Sequence, residues 1–177
     1  MIETLQYIYR DLAASTAYLP YGLAVGVPLA AAVVLLLNRR RKNLQKPPVR
    51  WGAVVCFCIY AAILLVITFL SRESGSRKGI DLELFSTWGI NRRNNAYVIE
   101  NVLLFLPYGF VCSWTFRWAG RLVPCTLFGA ATSLGIETMQ LLTGRGFFQI
   151  DDILTNTLGS MIGFLAYRIF VHGPRKT

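Results

Sequence analysis

Five stretches of about 20 mainly apolar residues constrain this chain more than any other feature. They fall at 18–37, 51–70, 97–118, 122–142 and 150–171. As helices rising 1.5 Å per residue, such segments match the hydrocarbon thickness of a bilayer. A helix also satisfies its own backbone polar groups where no water is available. Only 15% of the 177 residues are charged and 54% are hydrophobic, whereas a soluble domain carries about 25% charged residues. There are too few charges to cover a water-facing surface. The apolar content excludes disorder, and four cysteines do not make a disulfide scaffold. The expected fold is an all-α integral membrane protein with about five transmembrane helices.

The formal charge of +9 could suggest a nucleic-acid partner. Its distribution points instead to membrane topology, because the basic residues flank the apolar segments. Arg39, Arg40, Arg41, Lys42, Lys46, Arg50, Arg117, Arg121, Arg168, Arg175 and Lys176 fall on one side. Arg10, Arg72, Arg77, Lys78, Arg92, Arg93 and Arg145 fall on the other. The bias predicts a multi-pass protein of the plasma membrane with its N-terminus outside and its C-terminus in the cytoplasm. The segment before Pro20 is loosely amphipathic, and is expected either to lie along the interface or to extend the first helix. The basic run after the first span argues that this span is retained rather than cleaved as a signal peptide. Lys46-Pro47-Pro48 reads as a stiff break. The chain therefore divides into an N-terminal segment with the first helix and a basic cytoplasmic loop (1–48), a four-helix membrane unit (49–172) and a short tail (173–177).

Polar residues interrupt the last three spans at one end. Glu100 and Asn101 open the third, Glu137 and Gln140 close the fourth, and Asp151, Asp152 and Asn156 open the fifth. An ionisable group facing lipid costs about 2.5–3.5 kcal/mol on insertion scales, so these groups should face the interior. Spacing agrees: Glu137 and Gln140 are i, i+3, and Asp152 and Asn156 are i, i+4. Gly129 and Ser133 precede Glu137 on its face, and Gly159 and Gly163 continue that of Asn156, giving small-residue stripes for close helix contact. Pro107 removes a helix hydrogen bond from the third span and can open space beside it. Arg145, between Gly144 and Gly146, can hold a carboxylate or phosphate through its fork, or clamp the turn as an internal ion pair. The expected outward-facing pocket is built from Asn101, Glu137, Gln140, Arg145, Asp152 and Asn156, with Asp151 beside it. The loop 80–95, with Leu82, Leu84, Phe85 and Trp88, is a segment that could dip back as a lid.

The chemistry open to such a site is limited. His172 is the only histidine and belongs to the far end, so it cannot act as base for an outward-facing serine. Ser133 reads as a packing residue. Glu137, Asp151 and Asp152 could hold Mg²⁺ or Ca²⁺ through oxygen ligands, or Glu137 could carry protons, although neither has a diagnostic spacing. The cysteines read as small buried apolar residues. Trp51, Trp114 and Trp118 read as interface anchors. No cofactor is called for.

Three patterns carry a resemblance to a known family. Residues 101–110 follow N-x-x-x-F-x-P-x-G through Asn101, Phe105, Pro107 and Gly109. Glu137-x-x-Gln140 follows. Gly144-Arg145 then precedes Asp152, Asn156, Gly159 and Gly163, as D-x-x-x-N-x-x-G-x-x-x-G. In this order the chain resembles the VanZ-like family of bacterial membrane proteins over roughly residues 50 to 170. It departs from the family's usual pattern at Gln149, where an acid is common, and at 82–86, where an N-x-x-P-F pattern is common. The founding member is associated with low-level resistance to teicoplanin, a lipoglycopeptide. The resemblance implies a site near the outer leaflet, where membrane lipids, a lipoglycopeptide or a lipid-linked cell-wall precursor would be the partner. A binding or protective role is the leading expectation. A divalent-metal-dependent enzyme acting on a lipid-linked precursor, or a small-solute transporter, are the alternatives.

Overall fold

Six helices and two short strands make up the fold, a computed structural model that describes residues 2–41, 49–72, 74–75 and 77–172. In chain order these are α1 (Ile2–Thr16), α2 (Leu19–Arg41), α3 (Trp51–Leu70), β1 (Arg77–Asp81), α4 (Arg92–Thr115), α5 (Leu122–Thr143), β2 (Arg145–Gln149) and α6 (Ile150–His172), with a 3₁₀ turn at Trp118–Gly120. Helices α2 to α6 are each long and apolar enough to cross a membrane. The protein is therefore an all-α membrane-spanning protein in its architecture. The Lys46-Pro47-Pro48 break, Lys42 and the tail at 173–177 lie outside the described residues.

Local chemistry explains where the helices depart from the apolar segments. Helix α4 begins five residues before its predicted span. Asn91 caps it, its side-chain oxygen accepting the Asn94 amide at 2.8 Å, so a polar first turn forms ahead of the apolar stretch. Helix α2 runs past Leu37 through its terminal arginines. The N-terminal segment is a separate helix. A turn at Ala17-Tyr18 divides it from α2, and it lies against α4. The exposed Glu3–Arg92 and Asp11–Arg93 pairs join the two.

The loops hold the main correction to the sequence reading. The short connection between α5 and α6 is not a simple turn but strand β2. It pairs in parallel with β1 of the long α3–α4 loop, in the register Arg77↔Arg145 to Asp81↔Gln149. The pairing depends on glycine at one place: a Cβ on Gly79 would lie 2.4 Å from the Phe147 ring. Gly144 ends α5 in the left-handed conformation (φ 66°) that favours glycine and turns the chain into β2.

Small residues set the helix packing. The most extensive contact is between α4 and α6. A Cβ on Gly163 would fall 2.0 Å from the Leu106 carbonyl oxygen, on Gly159 2.4 Å from that of Val102, and on Gly109 2.0 Å from that of Ser160. Helix α5 joins α6 through Gly129, which sits against Ser160, and through Ser133. Helix α2 stands outside this unit and packs on α3, where Gly22 and Gly26 meet Ile63 and Ile59. Helix α4 continues through Pro107. The Tyr60 hydroxyl donates to the Leu104 carbonyl, next to the Leu103 carbonyl that the proline leaves unpaired.

The α4–α6 contacts at Gly109, Gly159 and Gly163 are against backbone atoms, which cannot give way as a flexible side chain can. Overpacking a core costs typically about 1–3 kcal/mol, and Gly163→Val and Gly159→Val are expected at or above the top of that range. Both should lower the thermal midpoint and broaden the size-exclusion profile of the detergent-purified protein. Gly135→Ala, where a Cβ meets nothing within 4 Å, should leave both unchanged.

Candidate functional site

Helices α4 and α6 begin where α3 and α5 end, and a cavity of about 920 Å³ opens at that end of the molecule. Asn101, Glu137, Gln140, Arg145, Asp152 and Asn156 all line it. The i, i+3 and i, i+4 spacings bring these residues together from α4, α5, β2 and α6. Glu137 is 2% exposed, Gln140 1% and Asn156 4%. The Asn101 amide donates to the Asp152 carboxylate at 2.8 Å. The Gln149 backbone N–H donates to Glu137 Oε2 at 3.1 Å, so β2 holds the carboxylate. Gln140 Nε2 donates to the Thr68 carbonyl at 3.1 Å. Asn156 Nδ2 donates to Ser133 Oγ at 2.8 Å, which gives Ser133 a polar role besides packing.

Asp151 stands apart. It is 5% exposed but is not among the cavity residues. Its carboxylate accepts the backbone N–H groups of Phe85 and Thr87 at 2.7 and 2.9 Å. Charge-assisted bonds of this kind are among the stronger ones, and here they tie the 82–91 loop to the start of α6. Phe85 adopts φ 62°, an uncommon conformation for a residue with a bulky side chain. Ser86, Thr87 and Asp81 from this loop region reach the cavity rim, while Leu82, Leu84, Phe85, Trp88 and Ile90 are exposed. With Asp151 committed to the loop, the acids do not gather as a metal site. Among the described residues no group of three or more His, Cys, Asp or Glu side chains is placed to hold a metal ion.

Arg145 also differs from expectation. Its Nη1 donates to two backbone carbonyls, those of Phe69 and of Arg72, the latter at 3.0 Å. Phe69 belongs to the last turn of α3, whose final carbonyls lack helical partners, and Arg72 follows just beyond that helix. Arg145 thus caps another helix rather than closing an ion pair. Arg72, two residues beyond α3, is the cation that reaches the polar cluster. Its Nη1 donates to Gln140 Oε1 at 3.1 Å, and its charge acts on both Glu137 and Asp152. Nothing in Ser71-Arg72-Glu73 distinguishes it from an ordinary basic residue at the end of a span.

One further contribution escaped the sequence reading. Helix α1 supplies Asp11, Leu12, Ala14 and Ser15 to one wall. Arg93 stands beside them, donating through Nε to the Tyr97 hydroxyl at 2.6 Å and lying 5.6 Å from the Tyr7 ring centre. Glu100 lines the same cavity, and its Oε1 is buried without a protein partner, as is Asn156 Oδ1. The polar end is continuous with apolar lining from Ile67, Leu103, Leu104 and Ile136. Helix α6 ends at His172, away from this cavity.

Membrane-spanning helices around a cavity lined by carboxylates, amides and the guanidinium groups of Arg72, Arg93 and Arg145 define a helical membrane protein with a polar cavity at one end. The VanZ/LLP1 family matches residues 57–171, which takes in α4 to α6 and all but the first turns of α3. The chain belongs to this family. It is also 31% identical over 103 residues to Protein VanZ of Enterococcus faecium. That similarity covers 58% of this chain and 61% of the relative, so the chain spans less than two thirds of that protein's length. No solved structure matches the chain.

Asp81 and Asp151 generate two predictions. Asp81 accepts the Ser86 hydroxyl at 2.8 Å and the Glu83 N–H at 3.1 Å. These bonds hold its carboxyl below the usual carboxylate range. A lowered pKa means that the contact is present at neutral pH and is lost as pH falls through that lowered value. Protection at 82–87, taken relative to the intrinsic exchange rate at each pH, should therefore fall on acidification, and Asp81→Asn should remove that pH dependence. Asp151→Ala leaves two amides unpaired, at about 1–3 kcal/mol for each buried group. It should release amide protection at Phe85 and Thr87 while protection in α4 and α5 persists.

Proposed function

We propose that the cavity binds the polar head of an amphiphilic ligand at the outer leaflet, a lipid-linked envelope precursor or a lipoglycopeptide of the teicoplanin type, and so protects the cell. The observation that carries this reading is the continuity of the lining. A polar head region (Arg72, Asn101, Glu137, Gln140, Asp152) adjoins an apolar side (Ile67, Leu103, Leu104) within one cavity. An amphiphile needs both. Arg72 is the group that would meet an anionic substituent, since Arg145 is engaged by the end of α3. The unpartnered oxygens of Glu100 and Asn156 would accept hydroxyl or amide donors. The similarity to Protein VanZ supports a resistance role. The outward orientation of this end, with the N-terminus outside and the C-terminus in the cytoplasm, rests on the distribution of basic residues.

The test is teicoplanin susceptibility of a bacterium with and without the chain, at matched membrane levels of each variant. The wild type should raise the inhibitory concentration, and Arg72→Gln, Glu137→Gln and Asp152→Asn should return it toward the vector level. Loss of a hydrogen bond to a charged group is worth about 1.5–3 kcal/mol, or roughly 10- to 100-fold in affinity. Equal inhibition with and without the protein would overturn the resistance role. Lipid profiling of the same strains separates binding from catalysis, because a binder leaves no new product.

A further inference from the structure

The loop between β1 and α4, residues 82–91, has no helix or strand of its own. It nevertheless exposes Leu82, Leu84, Phe85, Trp88 and Ile90, and Ile80 of β1 is exposed as well. We propose that this loop is seated in the interfacial layer of the leaflet at the cavity end, with its apolar side chains among the lipid glycerols and first methylenes. The partner is a lipid surface, and the assignment does not depend on what the cavity binds.

Three observations carry the assignment. The first is position. Asp151 holds the loop through the Phe85 and Thr87 amides at 2.7 and 2.9 Å. Leu154, Leu158, Leu165 and Ile169 follow Asp151 at i+3, i+7, i+14 and i+18, which is one stripe along a helix. All four are exposed, and in a helix that crosses the membrane such a stripe faces acyl chains. Asp151 stands at the head of that stripe and the loop covers it, so the loop lies on the lipid side of the bundle. Ser86 and Thr87 line the cavity, whereas Leu82, Leu84, Phe85, Trp88 and Ile90 do not. A closed lid would have the opposite arrangement. The second observation is the backbone. Irregular chain within reach of lipid must pair its own polar groups. The Glu83 and Gly89 amides donate to Asp81 Oδ1 and Asn95 Oδ1 at 3.1 and 2.8 Å, and the Ser86 amide donates to the Glu83 carbonyl at 3.4 Å. The Phe85 and Thr87 amides are already paired with Asp151. A loop facing water could leave these groups to solvent. The third is side-chain chemistry. Between Gly79 and Asn91 there is no Lys or Arg, so the attraction is apolar rather than electrostatic. Glu83 keeps the loop at the interface, the depth at which tryptophan is enriched. Phe85 holds φ 62°, where a bulky side chain is disfavoured, and transfer of its ring from water to lipid offsets that cost.

The test places the full chain in phosphatidylcholine vesicles and follows the fluorescence of Trp88. Trp51, Trp114 and Trp118, at the other end of the bundle, are each replaced by Phe so that Trp88 reports alone. The vesicles contain phosphatidylcholine brominated either near the glycerol or near the acyl terminus, since bromine quenches a tryptophan that it meets. Trp88 emission should lie to the blue of that of a water-exposed tryptophan. The shallow bromine should remove most of it, the deep bromine less, and aqueous acrylamide little. Leu84→Ser/Phe85→Gly should shift the emission to the red and weaken the shallow quenching. Leu127→Ser, which removes an exposed apolar residue near the start of α5, should leave both unchanged. If the triple Phe replacement does not fold, the difference between the wild type and Trp88→Phe reads the same residue. Strong acrylamide quenching without bromolipid quenching overturns the proposal in favour of a water-facing loop. A blue-shifted Trp88 that bromolipid does not reach overturns it in favour of a lid, or of a contact between two copies of the chain.

Discussion

The cost of placing a carboxylate at hydrocarbon depth governs this structure. Glu137 and Asp152 lie in helices that cross the membrane, and the penalty for facing lipid is several kcal/mol for each. Their side chains can only turn inward, and once inward they need donors. The fold supplies them locally: an amide from Asn101 on α4 for Asp152, and a backbone N–H from β2 for Glu137. Arg72 adds charge from the end of α3. Each donor comes from a different element. The polar cluster therefore fixes how α3, α4, α5 and α6 meet at that end, while apolar packing alone would accept many rotations of each helix.

Such a cluster forms only if the helices approach closely, and this is the role of the glycines. In lipid, apolar side chains gain little by meeting each other rather than acyl chains, so association rests on backbone proximity and polar contacts. Gly109, Gly159 and Gly163 let α4 and α6 touch main chain to main chain. That contact brings Asn101 within 2.8 Å of Asp152 about two to three turns away. The small-residue stripe and the polar cluster are two parts of one interface.

The fraction of this arrangement that was legible in the sequence follows from the range of each signal. The five spans, the inward face of Glu137 and Gln140 and the close contact at Gly159 and Gly163 rest on helical periodicity, which acts over a few residues and is written locally. The β1–β2 pairing joins segments 68 residues apart. Neither strand has the alternation that marks one in advance, and RGFFQ after Gly144 reads as a turn. Arg72 and Arg145 carry the same charge at the same end of the bundle, and the sequence singled out only Arg145 for the site. Only the parallel pairing, which sets Arg145 beside the end of α3, decides that Arg145 caps carbonyls and Arg72 faces the acids. Asp151 and Asp152 are adjacent, yet the 100° step of a helix sends one to the loop and the other to the cavity.

The walls of the cavity differ in what it would cost to move them. On the α4–α6 side, displacement separates interlocked backbones and breaks buried hydrogen bonds. On the α1 side, the contacts include Glu3–Arg92, with both side chains exposed, and Asp11–Arg93, with Asp11 half-buried; surface pairs contribute at most about 1 kcal/mol each. Helix α1 is joined to α2 by a two-residue turn. Elements with few buried contacts open at low free energy, so α1 is the wall that yields first, while the interlocked α4–α6 side keeps the polar groups in order.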